Sequence, residues 1–429
     1  MTSGATRQRF DVFFSFSKMD TGAGMPSDRD LYRDLFRFIE QADALGYERA
    51  WVGEAHYSLV PEQTRPDPLL PHFNGELCIN TDVLQIASAV LPRTRRIGIG
   101  SAIRNILVNG GPVAHAEMIR TFLTIHGETL RAQGRKLHIG FGSGRFAYAN
   151  AANGVRPRHE VERILWPQLR GAVLREATEI FLRLLSGETI GSADIPKKRV
   201  RASEVDPETW AQACAAANAP TSTTAFEFDP FWQFEPLRVL PTDCDLSQLE
   251  LTVGSHDPEL QTYLNRFLPV KVFNLSVTPD DVIEATHERM AAAYHPAGGS
   301  WQRHMMPRTV MVFVRADDGV DSDTLDALAA EEAKAAMHAY WRAMEGTVDE
   351  DKVRKGMENA VHGSPMRVAQ MIQERFHPED RLMVWFDFNT SDPSVVTRRM
   401  EEFQKYVVPL LGRAASHLVP SPAPVFSQP

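Results

Sequence analysis

Three features are scarce or missing in this sequence, and each absence excludes a class of protein. The 429 residues contain only three cysteines, Cys78, Cys214 and Cys244, without C-x-x-C spacing, so we expect reduced thiols and no disulfide framework or zinc site. The formal charge is −9 and the one basic cluster is at 197–201, which argues against a nucleic-acid partner. No apolar run approaches the roughly 18 residues of a membrane span, and the polar start of the chain lacks a signal peptide's apolar region. We therefore expect a globular cytoplasmic protein with no membrane partner.

The chain does contain a regular alternation of two patterns. Short apolar runs that are typical of buried strands occur at 10–16, 49–54, 96–103, 136–142, 249–254, 270–276, 309–314 and 382–387. Each is followed by a segment with helical spacing, at 28–45, 81–91, 113–125, 161–185, 258–267, 279–294, 323–344 and 392–411, and Thr81 is a plausible N-cap. Eight strand–helix units predict an α/β fold, a single (β/α)8 barrel domain over 1–429. We expect insertions at about 57–80 and 189–242 and a disordered tail at about 413–429.

In such a barrel the active site lies at the carboxyl ends of the strands. The residues there are mostly hydroxyls, amides and glycines, with too few carboxylates and histidines to predict a metal site. His56 is the best candidate for acid–base work, because an imidazole titrates near neutral pH; a purely structural histidine is an equal alternative. His115, His126 and His138 are predicted in a helix, a loop and a strand, with structural or solvated roles.

A glycine-rich run follows the fourth predicted strand, from Gly140 to Arg145. Glycines there let backbone amides approach a phosphate, with Ser143, Arg145 and Ser255 as further donors. The spacing is not that of a dinucleotide fold, so the run favours the phosphate of a mononucleotide.

Two loops, 57–80 and around 226–234, are expected to cap the pocket. The second carries an aromatic cluster of Phe226, Phe228, Phe231, Trp232 and Phe234. This cluster either lines an apolar substrate site or packs on the outer helices, and the sequence leaves both open.

Several stretches, in order along the chain, resemble the luciferase-like flavin monooxygenases. The stretch 44–57 (ALGYERAWVGEAHY) is similar to the family's L-G-F-D-x-x-W-x-x-E-H-H-F, and 95–102 (RRIGIGSA) resembles its R-I-x-L-G-T-A strand. Further similarities lie at 112–117, at 134–135 with 139–144, at 363–365 and at 408–411. They fall where the strand count places the ends of the strands.

The resemblance implies a barrel, often dimeric, that binds reduced FMN in its mouth. Dioxygen adds to the flavin at C4a, and the hydroperoxide oxygenates a small organic substrate; a separate flavin reductase supplies the reduced cofactor. We therefore expect O2, a small molecule, a reductase and a second copy of the chain as partners. A non-prolyl cis peptide bond is expected at Ser101, Ala102 or Ile103.

Position and resemblance together assign roles to the residues at the strand ends. The catalytic candidates are Glu54 and His56. The expected flavin-binding residues are Ser101, Ala102, Ile103, Ser143, Gly144, Arg145, Gly254, Ser255 and His256. The expected substrate pocket is formed by Phe16, Tyr57, Arg104 and Asn105.

One departure from the family pattern keeps alternatives open. Ala55 stands where the family has the first of two histidines, so the identity of the acid–base residue is not fixed. A deazaflavin, F420, could replace FMN for hydride transfer; its acidic tail favours basic residues, of which Arg104 and Arg145 are the candidates. A third possibility is a non-catalytic flavin-binding subunit.

Overall fold

The structure is a computed structural model, and it describes residues 8–411 except 21–23, 65–67, 69, 275–276, 346 and 391. The tail expected at 413–429 and the last two residues of the predicted strand 270–276 lie outside the described residues. Among the described helices, none combines the length and apolar character needed to cross a bilayer.

The centre of the molecule is a parallel sheet that closes on itself. Its strands within the described residues are β1 (Arg9–Phe14), β2 (Arg49–Val52), β3 (Gly98–Asn105), β4 (Leu137–Gly142), β5 (Leu249–Val253), β6 (Val270–Val272), β7 (Arg308–Val314), β8 (Ala360–Gly363) and β9 (Arg381–Trp385). Their order is β6-β5-β4-β3-β2-β1-β9-β7-β8, and all neighbours are parallel. A parallel bridge between Asn274, just after β6, and Arg308 of β7 closes the barrel. The predicted α/β barrel is confirmed.

Strand β8 was not predicted. It pairs with the last four residues of β7, from Met311↔Ala360 to Val314↔Gly363. It lies on the same edge of β7 on which Arg308, the first residue of β7, forms the bridge with Asn274. The run Ala-Val-His-Gly is too short for a period-2 pattern, so its pairing with β7 rather than its own sequence makes it a strand. At the base of the barrel β7 is therefore bridged directly to the end of β6, whereas at the mouth β8 lies along the edge of β7.

Helices cover the outside of the barrel and its mouth. They are α1 (Asp28–Leu45), α2 (Val83–Val90), α3 (Gly111–Ala132), α4 (Trp166–Ser186), α5 (Pro258–Leu264), α6 (Asp280–Ala293), α7 (Ser322–Glu345), α8 (Glu350–Asn359), α9 (Pro365–Arg375) and α10 (Pro393–Glu402). Further helical segments lie at Val60–Gln63, Ala147–Ala152, Glu160–Ile164, Pro207–Ala216 and Val408–Leu411, and a π-helical turn at Phe403–Val407. Single 3₁₀ turns are found at Ser192–Asp194, Ala202–Glu204, Leu246–Gln248, Pro296–Gly298 and Arg303–Met305.

Three predicted helix details were wrong. The N-cap of α2 is Asp82, whose carboxylate accepts from Leu84 N at 3.0 Å, rather than Thr81. The predicted helix 161–185 is two helices that meet at Leu165, because Pro167 lacks the N–H that a continuous helix would need. His126 lies in α3 and not in a loop.

The segment between α4 and β5 forms a small layer on the outside of the barrel. Strands Lys198–Arg201 and Ala225–Phe228 pair antiparallel, and they share a core with Trp210, Leu165 and Leu169. Lys198 Nζ lies 2.6 Å from Glu176 of α4, and both side chains are buried. The backbone N–H groups of Phe231 and Trp232 donate to the same glutamate. The aromatic cluster therefore packs on outer helices and lines no part of the barrel mouth.

Candidate active site

A cavity of about 660 Å³ lies at the carboxyl ends of the strands. Its floor includes residues from the ends of β1, β2, β3, β4 and β9, and its roof is formed by α7, α8 and the segment 70–78. Most lining side chains are apolar or aromatic, among them Phe13, Leu70, Phe73, Leu77, Phe146, Met311, Met337, Tyr340, Trp341, Trp385 and Phe388. The cavity has the size and apolar character of a small-molecule site, and the expectation that 57–80 caps it is met by residues 70–78.

The structure brings only some of the predicted site residues to this cavity. Those that line it are Glu54, Ala102, Asn105, Gly144 and Arg145. The others lie behind or beside it: Phe16, His56, Tyr57, Ser101, Ile103, Arg104, Ser143, Gly254, Ser255 and His256.

Glu54 is held in the floor by a buried arginine. Arg104 Nη1 lies 3.3 Å from Glu54 Oε1 and 3.1 Å from Asp82 Oδ1, and the side chains of Arg104 and Glu54 are 1% and 0% exposed. Arg104 Nε donates to His115 Nδ1 at 2.8 Å. Arg104 is thus a structural counter-ion of the site and is not available to a substrate, contrary to its predicted place in the pocket.

His115 is neutral in this arrangement. Burial, with the Arg104 charge adding to it, lowers the pKa of His115 to about 3. Its Nδ1 accepts from Arg104 and its Nε2 donates to Val108 O at 3.0 Å. His115 therefore orients Arg104, in the structural role that the sequence favoured.

His56 sits one layer behind the cavity. The ring is buried, its Nδ1 is 3.2 Å from Asn109 Nδ2, and its Nε2 is 3.7 Å from Glu54 Oε1. Neither His56 Nε2 nor Glu54 Oε2 forms a hydrogen bond with the described residues. Buried polar atoms without partners are uncommon in proteins, so this corner of the floor retains bonding capacity for a ligand or an ordered water.

The loop after β4 depends on a glycine. Gly144 has φ +69°, and a Cβ there would lie 2.3 Å from Asn105 Nδ2. Asn105 donates to Asn150 at 2.8 Å, and Asn150 donates to Ser143 O at 3.0 Å. This chain of amides fixes the loop and leaves Arg145 exposed at the edge of the cavity.

The end of β5 is built differently from the expectation. A Cβ on Gly254 would lie 2.1 Å from Ile103 Cδ1, so this glycine makes room for the Ile103 side chain. Asp257 caps α5 by accepting from Glu259 N and Leu260 N, which leaves Ser255 half-buried and His256 exposed for any anion. The Ala102–Ile103 peptide bond is cis, as the resemblance predicts.

Two further predicted residues point away from the cavity. Phe16, at φ 52°, packs edge-on against Tyr32 of α1. Tyr57, at φ 68°, is half exposed, and its hydroxyl accepts from Asn153 Nδ2 at 2.9 Å. The Ser101 hydroxyl already donates its proton to Gly140 O at 2.7 Å, so it has no proton left to donate to a ligand.

A buried carboxyl beside the cavity was missed by the sequence analysis. Asp387, just after β9, accepts from Ser15 N and Ser15 Oγ, both at 2.9 Å, and Ser15 lines the cavity. Burial raises the pKa of Asp387 to about 6. The neighbouring Cys78 also lines the cavity, and burial raises its pKa to about 12, so the thiol stays protonated.

The chain was compared with known proteins. A family model described as luciferase-like monooxygenase matches residues 9–220, and no curated protein matches the sequence. Among solved structures, monooxygenase RslO1 from Streptomyces bottropensis shares 15% identity, with a TM-score of 0.64, over 94% of this chain and 99% of that chain.

Two further solved structures contain FMN or F420. The oxygenating constituent of 3,6-diketocamphane monooxygenase from Pseudomonas putida, in complex with FMN, shares 15% identity over 94% of this chain and 98% of that one, with a TM-score of 0.55. An F420-dependent secondary alcohol dehydrogenase, in complex with an F420-acetone adduct, shares 12% identity over 94% and 99%, with a TM-score of 0.53. At these identities the likeness shows a shared fold.

Proposed function

We propose that the protein uses reduced FMN and O2 to oxygenate a small organic substrate, because the luciferase-like monooxygenase family model matches residues 9–220. The observation that carries the proposal is the mouth cavity, which gathers Glu54, Ala102, Asn105, Gly144 and Arg145 from three strand ends around an apolar chamber. A separate reductase would supply the flavin, and we expect a homodimer.

The residues at the mouth fit FMN in charge and in shape. Arg145 is an exposed cation beside an open glycine loop, and His256 and Ser255 lie at the end of the neighbouring strand; these groups suit a phosphate. Glu54 Oε2 is a buried acceptor without a partner, and the apolar walls suit a flat ring system. The proposed phosphate site is therefore the loops after β4 and β5, and the ring site is the floor beside Ala102.

When bound, reduced FMN supplies the electrons that activate dioxygen. The contribution of this chain is orientation and exclusion of water. The roof of α7 and α8 covers the chamber, which favours oxygenation over loss of the activated oxygen to water. Arg104 holds Glu54 Oε1 in place at 3.3 Å, so that Glu54 Oε2 can accept a hydrogen bond at the floor. His56 acts on the site through Glu54 and is thus a positioning residue in this proposal.

Binding and turnover can be tested separately. We expect the purified protein to quench FMN fluorescence on titration, to bind reduced FMN under anaerobic conditions, and to consume O2 when that complex is mixed with air. NAD(P)H alone should be oxidised slowly, and added flavin reductase should restore turnover. Reduced FMN that does not bind the protein, or that is oxidised in air with the kinetics of free FMN in its presence, would refute the proposal.

Hydride transfer with F420 is the second candidate, because an F420-dependent dehydrogenase shares the fold. One observation weighs against it: Arg104, one of the two cations considered for the acidic tail, is buried and paired with Glu54 and Asp82. Bleaching of F420 absorbance without oxygen, on addition of an alcohol such as 2-propanol, would decide in its favour. Tight binding of FMN without oxygenation of any substrate would instead indicate a flavin-binding subunit.

A further inference from the structure

Helix α8 turns a cationic and polar face towards the cavity. The residues on this face are Lys352, Lys355, Gly356 and Asn359, which recur every three or four positions and therefore lie on one side of the helix. Val353 is buried in the core that α8 shares with α7, and Met357 packs against that core. An apolar chamber would gain more burial from leucines at these positions, so the lysines point to a ligand with opposite charge.

The surface beside this face is aromatic. Tyr340 and Trp341 of α7 line the cavity together with Trp385 and Phe388. The rings form a continuous group: Trp385 and Phe388 have centroids 4.8 Å apart, Tyr340 and Phe388 5.5 Å, and Tyr340 and Trp341 5.2 Å. Such a wall favours a flat aromatic molecule, which can stack or pack edge-on against it.

Two polar groups on this side, Trp341 Nε1 and Lys355 Nζ, can only donate. Trp341 Nε1 is buried and forms no hydrogen bond with the described residues. Lys352 pairs with Glu345, whereas Lys355 forms no ion pair within the described part of the chain. Indole and ammonium groups can donate and cannot accept, so a ligand that satisfies them must bring acceptor oxygens.

We propose that the substrate of this site is an aromatic anion, whose ring packs against Tyr340, Trp341 and Phe388 and whose negatively charged oxygen contacts Lys355. This inference rests on the proposed function, because it names the class of molecule that the protein would oxygenate. Lys355 is exposed at the edge of the cavity, so the charged group stays near solvent while the ring enters the apolar chamber. That arrangement avoids burying an unpaired charge.

Two fluorescent probes with the same aromatic skeleton test the anion requirement. They are 8-anilinonaphthalene-1-sulfonate and its uncharged counterpart N-phenyl-1-naphthylamine, titrated into the full-length protein without flavin. We expect the sulfonate to bind more tightly. Lys355→Met should weaken the sulfonate about fivefold to tenfold, because one partly exposed charge-assisted bond is lost, and leave the neutral probe unchanged. Arg354→Met, on the same helix and paired with Asp351 and Glu358, is the matched control and should change neither.

A second variant locates the probes. Ala343 lines the cavity, and Ala343→Trp should fill part of the chamber and weaken both probes. Unchanged sulfonate affinity in Lys355→Met or in Ala343→Trp would overturn the proposal, as would equal weakening of both probes by Lys355→Met. Because no flavin or oxygen is present, this result is independent of the FMN titration: loss of FMN binding refutes the proposed function, and loss of charge selectivity refutes the substrate class alone.

Discussion

Replacing Arg104 by methionine removes the cation that neutralises Glu54 in the floor of the cavity. The two side chains are 1% and 0% exposed, whereas Asp82, the other partner of Arg104, is 27% exposed and also caps α2. Most of the effect therefore comes from Glu54, which is left as a buried charge without a counter-ion. Breaking one side of a buried pair destabilises a protein by about 3–5 kcal/mol.

This magnitude translates into a measurable shift of the melting temperature. An unfolding entropy of about 2.1 cal/mol/K per residue gives ~0.9 kcal/mol/K for a chain of this length, so the expected decrease in Tm is about 3–6 °C. Thermal unfolding by circular dichroism measures it. Arg37→Met is the control: Arg37 is 71% exposed, and its loss should change stability by less than about 0.5 kcal/mol.

A double mutant separates charge from packing. If the unpaired Glu54 carboxylate is the cause, adding Glu54→Gln to Arg104→Met should recover at least about 1 kcal/mol, because the buried charge is removed. Two results would contradict this reasoning: Arg104→Met and Arg37→Met have the same melting temperature, or the double mutant is no more stable than Arg104→Met. In either case Arg104 is not the counter-ion that stabilises Glu54 in the floor.

Two further changes test other parts of the site. Gly144→Ala should weaken FMN binding about tenfold in a fluorescence titration, because the new Cβ displaces Asn105; Gly154→Ala, at φ +82° with no atom within 4 Å, adds backbone strain alone and should leave FMN affinity unchanged. Equal effects of the two variants would contradict the reasoning. The raised pKa of Asp387, about 6, means that the folded protein binds a proton more tightly than the unfolded chain. The stability from this group is therefore present below pH ~4 and lost as pH rises through 6, about 3 kcal/mol in all. Asp387→Asn should remove that loss, so its Tm relative to the wild type should rise between pH 4 and pH 7; a constant difference would refute this assignment.

The elements that the sequence predicts best are those with local signals. The predicted range of α1 matches the structure, because Ser27 caps its start by accepting from Asp30 N, Gly46 ends it at φ 89°, and its apolar residues recur with helical spacing. Strand β8 has no such signal, because four residues acquire their conformation only by pairing with β7. Local periodicity is thus sufficient to predict the barrel and insufficient to predict β8.

The site follows the same division. The rule that places active residues at strand ends selected Glu54, Asn105 and Arg145, and all three line the cavity. It could not tell which side chains turn inward, and Arg104 turns towards His115 because Asp82 and Glu54 meet it there. Helical spacing in 323–344 predicts α7, yet nothing local says that α7 covers the mouth instead of the barrel's side. The roof of the cavity was therefore missing from the sequence-based pocket.

The pairing of β8 with β7 has a consequence for engineering and for divergence among relatives. Chain segment 315–359 leaves the barrel at the end of β7 and returns at the start of β8, where Ala360 is level with Met311. Val314 and Ala360, which anchor its two ends, are therefore fixed about 11 Å apart. A segment whose two ends are held by the barrel strands can be lengthened, shortened or replaced with little change in the entropic cost of closing it. Exchanging segment 315–359 between homologous barrels should transfer the α7 and α8 part of the roof, while the floor, with Glu54 and Arg104, stays unchanged.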